Sequence, residues 1–392
     1  MGSNIQNKGL KNMGKIKKVL FAAGGTGGHV FPAIAVADAM RTVDPDVEIA
    51  FVGATHGNES TWVGNAGYRF ILLDIDFIKG ASVWRKLRNL AAIPGCLRKA
   101  RQILREETPD LVIGAGGYVS GPLVFEATRI GIRTAILEQN AIPGLTNKIL
   151  SKRVDTIYIS FEHTKNLPAK KTVYLGNPVR QIARTQNSQM QEDKSPSTSW
   201  QTSCLGKPLS SDGTPMHILV FGGSQGAMKL NTDVPKALAA LDKAYLGRIA
   251  VWHQAGKNKC RETEEAYKTA QIEAKTTEFI DDMGSAYRWA DLLICRAGAT
   301  SIAEIKAAGK ASILVPFPFA AHNHQEKNAD EMVAIGASVK VLNDDVASKL
   351  PDILKDLIQN PQKIENMEHA ALADARPNAA EDIARHCLHV PN

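Results

Sequence analysis

Phe21-Ala-Ala-Gly-Gly-Thr-Gly-Gly28 and Leu219-Val-Phe-Gly-Gly-Ser-Gln-Gly226 write the same device twice in a chain of 392 residues. Each is a short apolar strand running into a glycine turn, a hydroxyl residue, a further glycine and the start of a helical pattern. Three glycines and the Thr/Ser coincide at an offset of 198 residues, Gly24 to Gly222. One strand–loop–helix unit opening each half predicts two similar α/β domains.

Other short apolar runs, each followed by a helical pattern, extend the prediction: Val47 to Gly53, Leu111 to Gly114, Thr134 to Leu137, Thr156 to Ile159, Ile249 to His253, Leu292 to Cys295 and Ser312 to Val315. Strands alternating with helices imply parallel sheets covered on both faces, with ligands at the carboxyl ends of the strands. Residues 1–12 read as a loose polar extension. A second polar stretch, 186–211, holds seven serines and four glutamines and reads as a surface insertion or linker. The domain boundary is expected near Gly176-Asn177-Pro178.

Composition narrows the class. With 44% hydrophobic and 22% charged residues the chain is neither disordered nor collagenous. Its five cysteines, Cys96, Cys204, Cys260, Cys295 and Cys387, are scattered and form no C-x-x-C, against a zinc ribbon or a disulfide framework and for a reducing cytosol. The longest apolar run, Ala311 to Ala321, is broken by Pro316 and Pro318 and is too short to span a bilayer. Glycines and His29 interrupt any signal-peptide core after Lys18. The net charge of +7 is lopsided. Residues 1–180 carry 24 Lys/Arg against 14 Asp/Glu, and the remainder 23 against 26. Charge alone leaves nucleic acid, an anionic membrane and an acidic substrate open.

Four segments carry chemistry. Gly24-Gly-Thr-Gly-Gly-His29, entering a helix with Pro32 in its first turn, aims free N–H groups at a phosphate or pyrophosphate. Val30 stands where a dinucleotide fingerprint needs its third glycine, and no Gly-Lys-Ser/Thr follows, so NAD and a P-loop are disfavoured. His29 either caps and packs or, at a cleft-facing helix start, acts as a base. Gly114-Ala-Gly-Gly-Tyr-Val-Ser-Gly-Pro122 follows another strand and offers Tyr118 and Ser120 to a sugar or phosphate, or is a tight turn. In Gly222-Gly-Ser-Gln-Gly226, Ser224 is placed to meet a phosphate. In Arg296-Ala-Gly-Ala-Thr-Ser-Ile-Ala-Glu304, small residues and hydroxyls open a helix whose Glu304 can accept two ribose hydroxyls, or is simply solvated. Asp74-Ile-Asp76 is a weak match to a metal-chelating D-x-D. From Lys79 to Arg105 eight basic residues and no acid interleave with Trp84, Leu87, Leu97 and others. Broken by Pro94, the segment reads as two short helices, interfacial on anionic lipid or core-packed with a basic face. Nucleic acid is the least favoured partner.

Assembled in order, GGTGGHVFPAIAVA (24–37), GAGGYVSGP (114–122), EQNAIPGLTNK (138–148), GNPVR (176–180), FGGSQGA (221–227), FIDDM (279–283), RAGATSIAE (296–304) and HQEKNA (324–329) make the chain resemble the MurG family. Its members are UDP-N-acetylglucosamine transferases that complete the lipid-linked peptidoglycan precursor in bacteria. The resemblance covers almost everything from Lys15 to about Cys387, the polar insertion excepted.

The resemblance implies a GT-B fold, two Rossmann-like doubly wound domains facing a cleft. The first, 13–177, would face acceptor and membrane, the second, 178–373, would bind the donor, and a C-terminal helix at about 374–392 would pack back on the first. It implies inverting transfer of GlcNAc from UDP-GlcNAc to the 4-hydroxyl of MurNAc in undecaprenyl-pyrophosphoryl-MurNAc-pentapeptide (lipid I), giving lipid II. Ser224 and the helix start at Ala299, Thr300, Ser301, Ile302 and Ala303 would lie on the donor, with Glu304 on the ribose and the Ile280 backbone on uracil. Arg180 would reach in from the hinge, and Gln325 and Asn140 would bind GlcNAc hydroxyls. Thr26, Gly27 and Gly28 would close from the first domain. His29 is the candidate base, with Tyr118 and Ser120 on the acceptor side. No cofactor or tightly bound metal is expected. The resemblance places such a protein peripherally on the cytoplasmic face of the bacterial inner membrane, attached through 79–105, with cell-wall synthesis proteins as possible partners and roles in cell shape and division. Two departures stand out: Leu137 replaces a histidine that many relatives carry, and 186–211 enlarges the interdomain connection. A UDP-GlcNAc 2-epimerase and a non-catalytic nucleotide-sugar sensor are the rival readings.

Overall fold

The computed structural model describes residues 15–54, 58–73, 83–179, 215–223, 226–320 and 323–389, with 83–92 as backbone only. The extension 1–12, Asp74 and Asp76, Arg180, the stretch 186–211 and Ser224 lie outside the described residues.

In the first half the order is β1 (Lys18–Ala23), α1 (Gly27–Val43), β2 (Glu48–Gly53), α2 (Glu59–Asn65), β3 (Arg69–Leu72), α3 (Val83–Glu107), β4 (Leu111–Gly116), α4 (Ser120–Arg129), β5 (Arg133–Glu138), α5 (Leu145–Leu150), β6 (Thr156–Ile159) and β7 (Thr172–Tyr174). The second half begins β8 (Met216–Phe221), α6 (Met228–Ala239), α7 (Lys243–Leu246), β9 (Ile249–Gln254), α8 (Cys260–Thr269), β10 (Ala274–Thr277), α9 (Met283–Trp289) and β11 (Leu292–Cys295). It continues α10 (Ala299–Ala308), β12 (Ala311–Leu314), α11 (His324–Ala334), β13 (Ser338–Lys340), α12 (Val346–Gln359), α13 (Pro361–Ala373) and α14 (Ala379–Leu388).

The strands form two parallel sheets, β3-β2-β1-β4-β5-β6-β7 and β10-β9-β8-β11-β12-β13. Their order reverses between β1 and β4 in one sheet and between β8 and β11 in the other. Those are the switch points where loops diverge and leave a crevice at the carboxyl ends. The four glycine or small-residue segments singled out in the sequence follow these four strands. The architecture is GT-B, as the resemblance implied.

Alternation along the central strands explains why both faces must be covered. In β1, Val19, Phe21 and Ala23 enter one apolar cluster, and Leu20 and Ala22 the opposite one. In β8, Met216, Ile218 and Val220 face one way, Leu219 and Phe221 the other. The chain ends by returning to the first sheet. Ile383, Ala384 and Cys387 of α14 join the α1 face, and the Tyr158 hydroxyl meets His386 Nδ1 at 2.8 Å and Cys387 Sγ at 3.2 Å. Removing a side chain as buried as Ile383 costs on the order of 2–5 kcal/mol, so α14 is an integral part of the first domain's core.

One expectation needs correction. The basic segment is a single helix, α3, that continues through Pro94, rather than two helices broken there. Its C-terminal half is anchored inward by Cys96, Ala100, Ile103 and Leu104 and by Arg101, whose Nε donates to the buried Glu126 at 2.9 Å. That packing outweighs the hydrogen bond proline removes.

Candidate active site

Thr26, extended at φ −138° and ψ 158°, starts α1 without a side-chain cap. The N–H groups of His29 and Val30 already bond the Thr26 carbonyl, which leaves those of Gly27 and Gly28 at the helix mouth. Across the cleft α10 begins after Gly298, also without a side-chain cap. The two ends approach closely, for a Cβ placed on Gly28 would stand 3.8 Å from Thr300 Oγ1. Thr300 Oγ1 is itself buried with no hydrogen-bond partner. Two positive helix ends converging on an unpartnered hydroxyl form a receptacle for an anion.

His29 lies beside that mouth, half-buried. Its Nδ1 stands 3.1 Å from the Gly24 carbonyl oxygen, and because a carbonyl only accepts, Nδ1 carries the proton and Nε2 presents a lone pair. Burial lowers its pKa below the ordinary 6.5, the Gly24 bond pulls the other way, and His324 from α11 adds to the lowering. The ring is therefore neutral and basic at physiological pH. Glycines of the second loop make room for it. A Cβ on Gly116 (φ +106°) would sit 2.7 Å from His29 Cδ2, and one on Gly117 (φ +82°) 2.2 Å from the Gly24 oxygen.

Ser120 is a correction. It is fully buried; its Oγ accepts from Gly116 N at 3.0 Å and lies 2.7 Å from the Ala22 oxygen and 2.8 Å from the Gly116 oxygen. It ties the end of β4 to β1 and presents nothing to an acceptor. Tyr118, 60% exposed, does face outward. With Ile93, Leu97, Pro122, Phe125 and Ile149 it lines an apolar hollow of about 340 Å³ between α3, α4 and α5.

In the second domain Glu304 is held by the Tyr287 hydroxyl at 2.9 Å. Gln325 accepts from Phe317 N at 3.0 Å, so what it offers a ligand is its amide N–H₂. Ile280 is buried and follows the exposed Phe279 in the loop from β10 to α9. Ala299, Thr300 and Ser301 form the first turn of α10. Ile302 is the second correction: its N–H bonds the Gly298 carbonyl at 2.9 Å and its side chain is core, so helix phase turns it away from the cleft. Ala303 lines, with Ile302 and Lys306, a small cavity at the hinge.

Asn140 sits at the seam between the domains. Its N and Nδ2 donate to Glu138 Oε1 at 3.0 and 3.3 Å, and its Oδ1 accepts from Asn328 Nδ2 at 3.3 Å. Glu138, buried and pushed above the usual carboxylate pKa by desolvation, also accepts from Gly144 N at 3.0 Å and Asn147 Nδ2 at 2.9 Å. Sequence reasoning missed Asn328. Fully buried, it accepts from Ala141 N at 2.9 Å and donates to the Ala297 carbonyl at 3.2 Å. The available signal was its spacing, one turn beyond His324 and Gln325 on the same helix face.

Residues 19–159 match the glycosyltransferase family 28 N-terminal domain, and 217–383 the family 28 C-terminal domain. A UDP-N-acetylglucosamine–N-acetylmuramyl-(pentapeptide) pyrophosphoryl-undecaprenol N-acetylglucosamine transferase from Syntrophus aciditrophicus is 41% identical over 95% of this chain and 98% of its own. One of the same name from a Geobacter species is 38% identical over 93% and 94%. The crystal structure of MurG from Acinetobacter baumannii superposes with a TM-score of 0.76 at 31% identity, over 94% of this chain and 99% of that one. A UDP-GlcNAc 2-epimerase from Neisseria meningitidis shares the fold at 14% identity, with a TM-score of 0.62.

Proposed function

The chain belongs to glycosyltransferase family 28, among the UDP-N-acetylglucosamine–N-acetylmuramyl-(pentapeptide) pyrophosphoryl-undecaprenol N-acetylglucosamine transferases, and from that premise we propose how its residues work. It moves GlcNAc from UDP-GlcNAc to the 4-hydroxyl of MurNAc in lipid I. The observation that carries the mechanism is the meeting of α1 and α10 around the buried Thr300 hydroxyl, with the neutral imidazole of His29 beside it.

In this reading the diphosphate of the donor lies between the two helix starts, where Gly27, Gly28, Thr300 and Ser301 donate to it. Glu304 receives the ribose hydroxyls, Ile280 the uracil edge, and Gln325 and Asn140 the sugar. The acceptor hydroxyl gives its proton to His29 Nε2 as its oxygen bonds the anomeric carbon, and the bond to phosphate breaks with its electron pair leaving on UDP. The configuration inverts. Donors fixed before the reaction stabilise the departing charge without a tightly bound metal.

Tyr118 and the hollow beside it suit the lipid side of the acceptor. Ile93, Tyr118 and Ile149 line it and are exposed, as is Leu145 of α5, the same helices carry Arg98 and Lys148, and each well-placed cation is worth about 1 kcal/mol on anionic lipid. This supports peripheral attachment to the cytoplasmic face of the inner membrane through α3 and its neighbours. Among the described residues no helix is long and apolar enough to cross a bilayer.

The test is transfer of labelled GlcNAc to a short-chain lipid I analogue, with an acceptor-free arm and an EDTA arm. Acceptor-dependent lipid II surviving EDTA is the expected result. UDP release without acceptor would instead indicate an epimerase or hydrolase, and loss of product with EDTA would overturn the metal-free mechanism.

A further inference from the structure

A carboxyl that no sequence motif singled out grips the first glycine loop from beneath. Glu59 opens α2 and is 1% exposed. Its Oε1 accepts from Gly25 N at 2.6 Å, and its Oε2 is buried with no partner. A half-satisfied buried carboxyl is costly and calls for an explanation.

The peptide unit it holds is the one that orients His29. The N–H of the Gly24–Gly25 peptide donates to Glu59, and the carbonyl of the same peptide accepts from His29 Nδ1. Glu59, peptide and imidazole form one chain of hydrogen bonds ending at Nε2. Gly117 lies so close to this carbonyl that a Cβ there would stand 2.2 Å from the Gly24 oxygen. Packing of Trp62 against Phe31, ring centroids 5.1 Å apart, fixes α2 on α1.

We propose that Glu59 is a positioning residue for His29, its negative charge acting through the Gly24–Gly25 peptide to hold the Nδ1–H tautomer and to favour the imidazolium formed when Nε2 takes the acceptor proton. The inference rests on His29 being the base. A carboxylate on the N–H end of a peptide polarises it and makes its carbonyl a stronger acceptor; an acid paired to a catalytic histidine has the same effect without an intervening peptide. His324 from α11 opposes protonation of the ring, and Glu59 from α2 is linked to it through the Gly24–Gly25 peptide. The loop after β4 meets it with uncharged Gly116 and Gly117.

Histidine ¹⁵N NMR of the full chain tests this, together with kinetics of Glu59→Gln, in which an amide oxygen still accepts from Gly25 but the charge is gone. In the unaltered protein His29 should show the Nδ1–H tautomer; a dominant Nε2–H tautomer overturns the proposal whether or not any variant folds. In Glu59→Gln the His29 pKa should fall by about 0.5–1 unit, carrying the acid limb of kcat/KM down with it. Turnover should drop about 10-fold with the KM for UDP-GlcNAc within about twofold. An unmoved His29 titration in folded Glu59→Gln would refute the coupling. Near-normal turnover of His29→Ala would instead remove His29 as base while leaving the NMR result to stand or fall by itself.

Discussion

Gly116→Ala is the sharpest single perturbation of this site. At φ +106° an alanine is strained, and its Cβ would lie 2.7 Å from His29 Cδ2 and 2.9 Å from Nε2. Ordinary contact needs about 3.4 Å or more, so the ring must retreat by roughly 0.7 Å while Nδ1 remains tethered to Gly24. Misplacing a reacting group by about 1 Å can cost on the order of 100-fold. A loss of about 10- to 100-fold in kcat is expected, with the KM for UDP-GlcNAc little changed because the added methyl meets the His29 ring rather than the groups placed on the donor. The backbone strain itself is worth about 1–3 kcal/mol, a fall of about 3–10 °C in melting temperature for a domain of this size. Gly131→Ala is the control. It sits in the same domain at φ +79° with no atom within 4 Å of its Cβ, so it should show the melting shift and keep its turnover. Steady-state kinetics on both variants, checked by thermal melts, decide the matter. A folded Gly116→Ala enzyme turning over within threefold of the control would refute the placement of His29 against the reacting hydroxyl.

Asn328→Ala should lower kcat/KM by about 30- to 100-fold, since it orphans Ala141 N and the Ala297 carbonyl at the domain seam at about 1–1.5 kcal/mol each; near-normal kcat/KM would show that the seam is not needed in the reactive state. Tyr287→Phe removes the 2.9 Å bond to Glu304 and should raise the KM for UDP-GlcNAc about 5- to 10-fold at unchanged kcat, measured by donor titration at saturating acceptor. Because burial holds the His29 pKa below 6.5, the acid limb of kcat/KM should lie below pH 6.5, and a limb above it would contradict the assignment. Burial lowers the His253 pKa from 6.5 to about 3, so between those values the unfolded chain binds the extra proton. Stability should therefore fall as pH falls through that window, by up to about 1.4 kcal/mol per pH unit. Urea midpoints at pH 7 and pH 5 measure it, and His253→Phe should flatten the difference.

What the sequence made legible was whatever local chemistry dictates. Central strands such as β1 and β8 are buried on both faces and must be apolar throughout, and loops at a switch point must be glycine-rich for backbones to meet. The strands that went unread, β3, β7, β10 and β13, lie at or beside the sheet edges, where half-exposure removes the apolar run. Pro94 misled because a proline's local cost was outweighed by packing further along α3. Within the site, residue type pointed correctly to a hydroxyl at position 120 but could not say that Ala22 and Gly116 consume it. Ile302 was miscounted because helix phase decides which residues near an N-terminus see the cleft. Glu59, Glu138 and Asn328 act on partners 34, 9 and 187 residues away, and helical spacing can mark a face, as for Asn328, without naming the distant partner.

On the proposed mechanism the electrostatics of the cleft favour a donor diphosphate between the domains. Each helix start carries about half a positive charge, so α1 and α10 repel one another until an anion lies between them. On the proposed mechanism a bound diphosphate would reverse the sign of that interaction, and Lys306 of α10 also pairs with Asp374 and lies 5.1 Å above the Phe161 ring. A charged His29 would add a third positive group to this mouth before any chemistry. Burial opposes that by favouring the neutral ring, and in the proposed mechanism its cation arises only as it takes the acceptor proton, while the leaving diphosphate gains negative charge beside it. The two charges appear together and stabilise each other in a site already shaped for both. On this account the catalytic imidazole must be buried next to the anion receptacle, which is why the loop that forms the receptacle also carries His29 at its end.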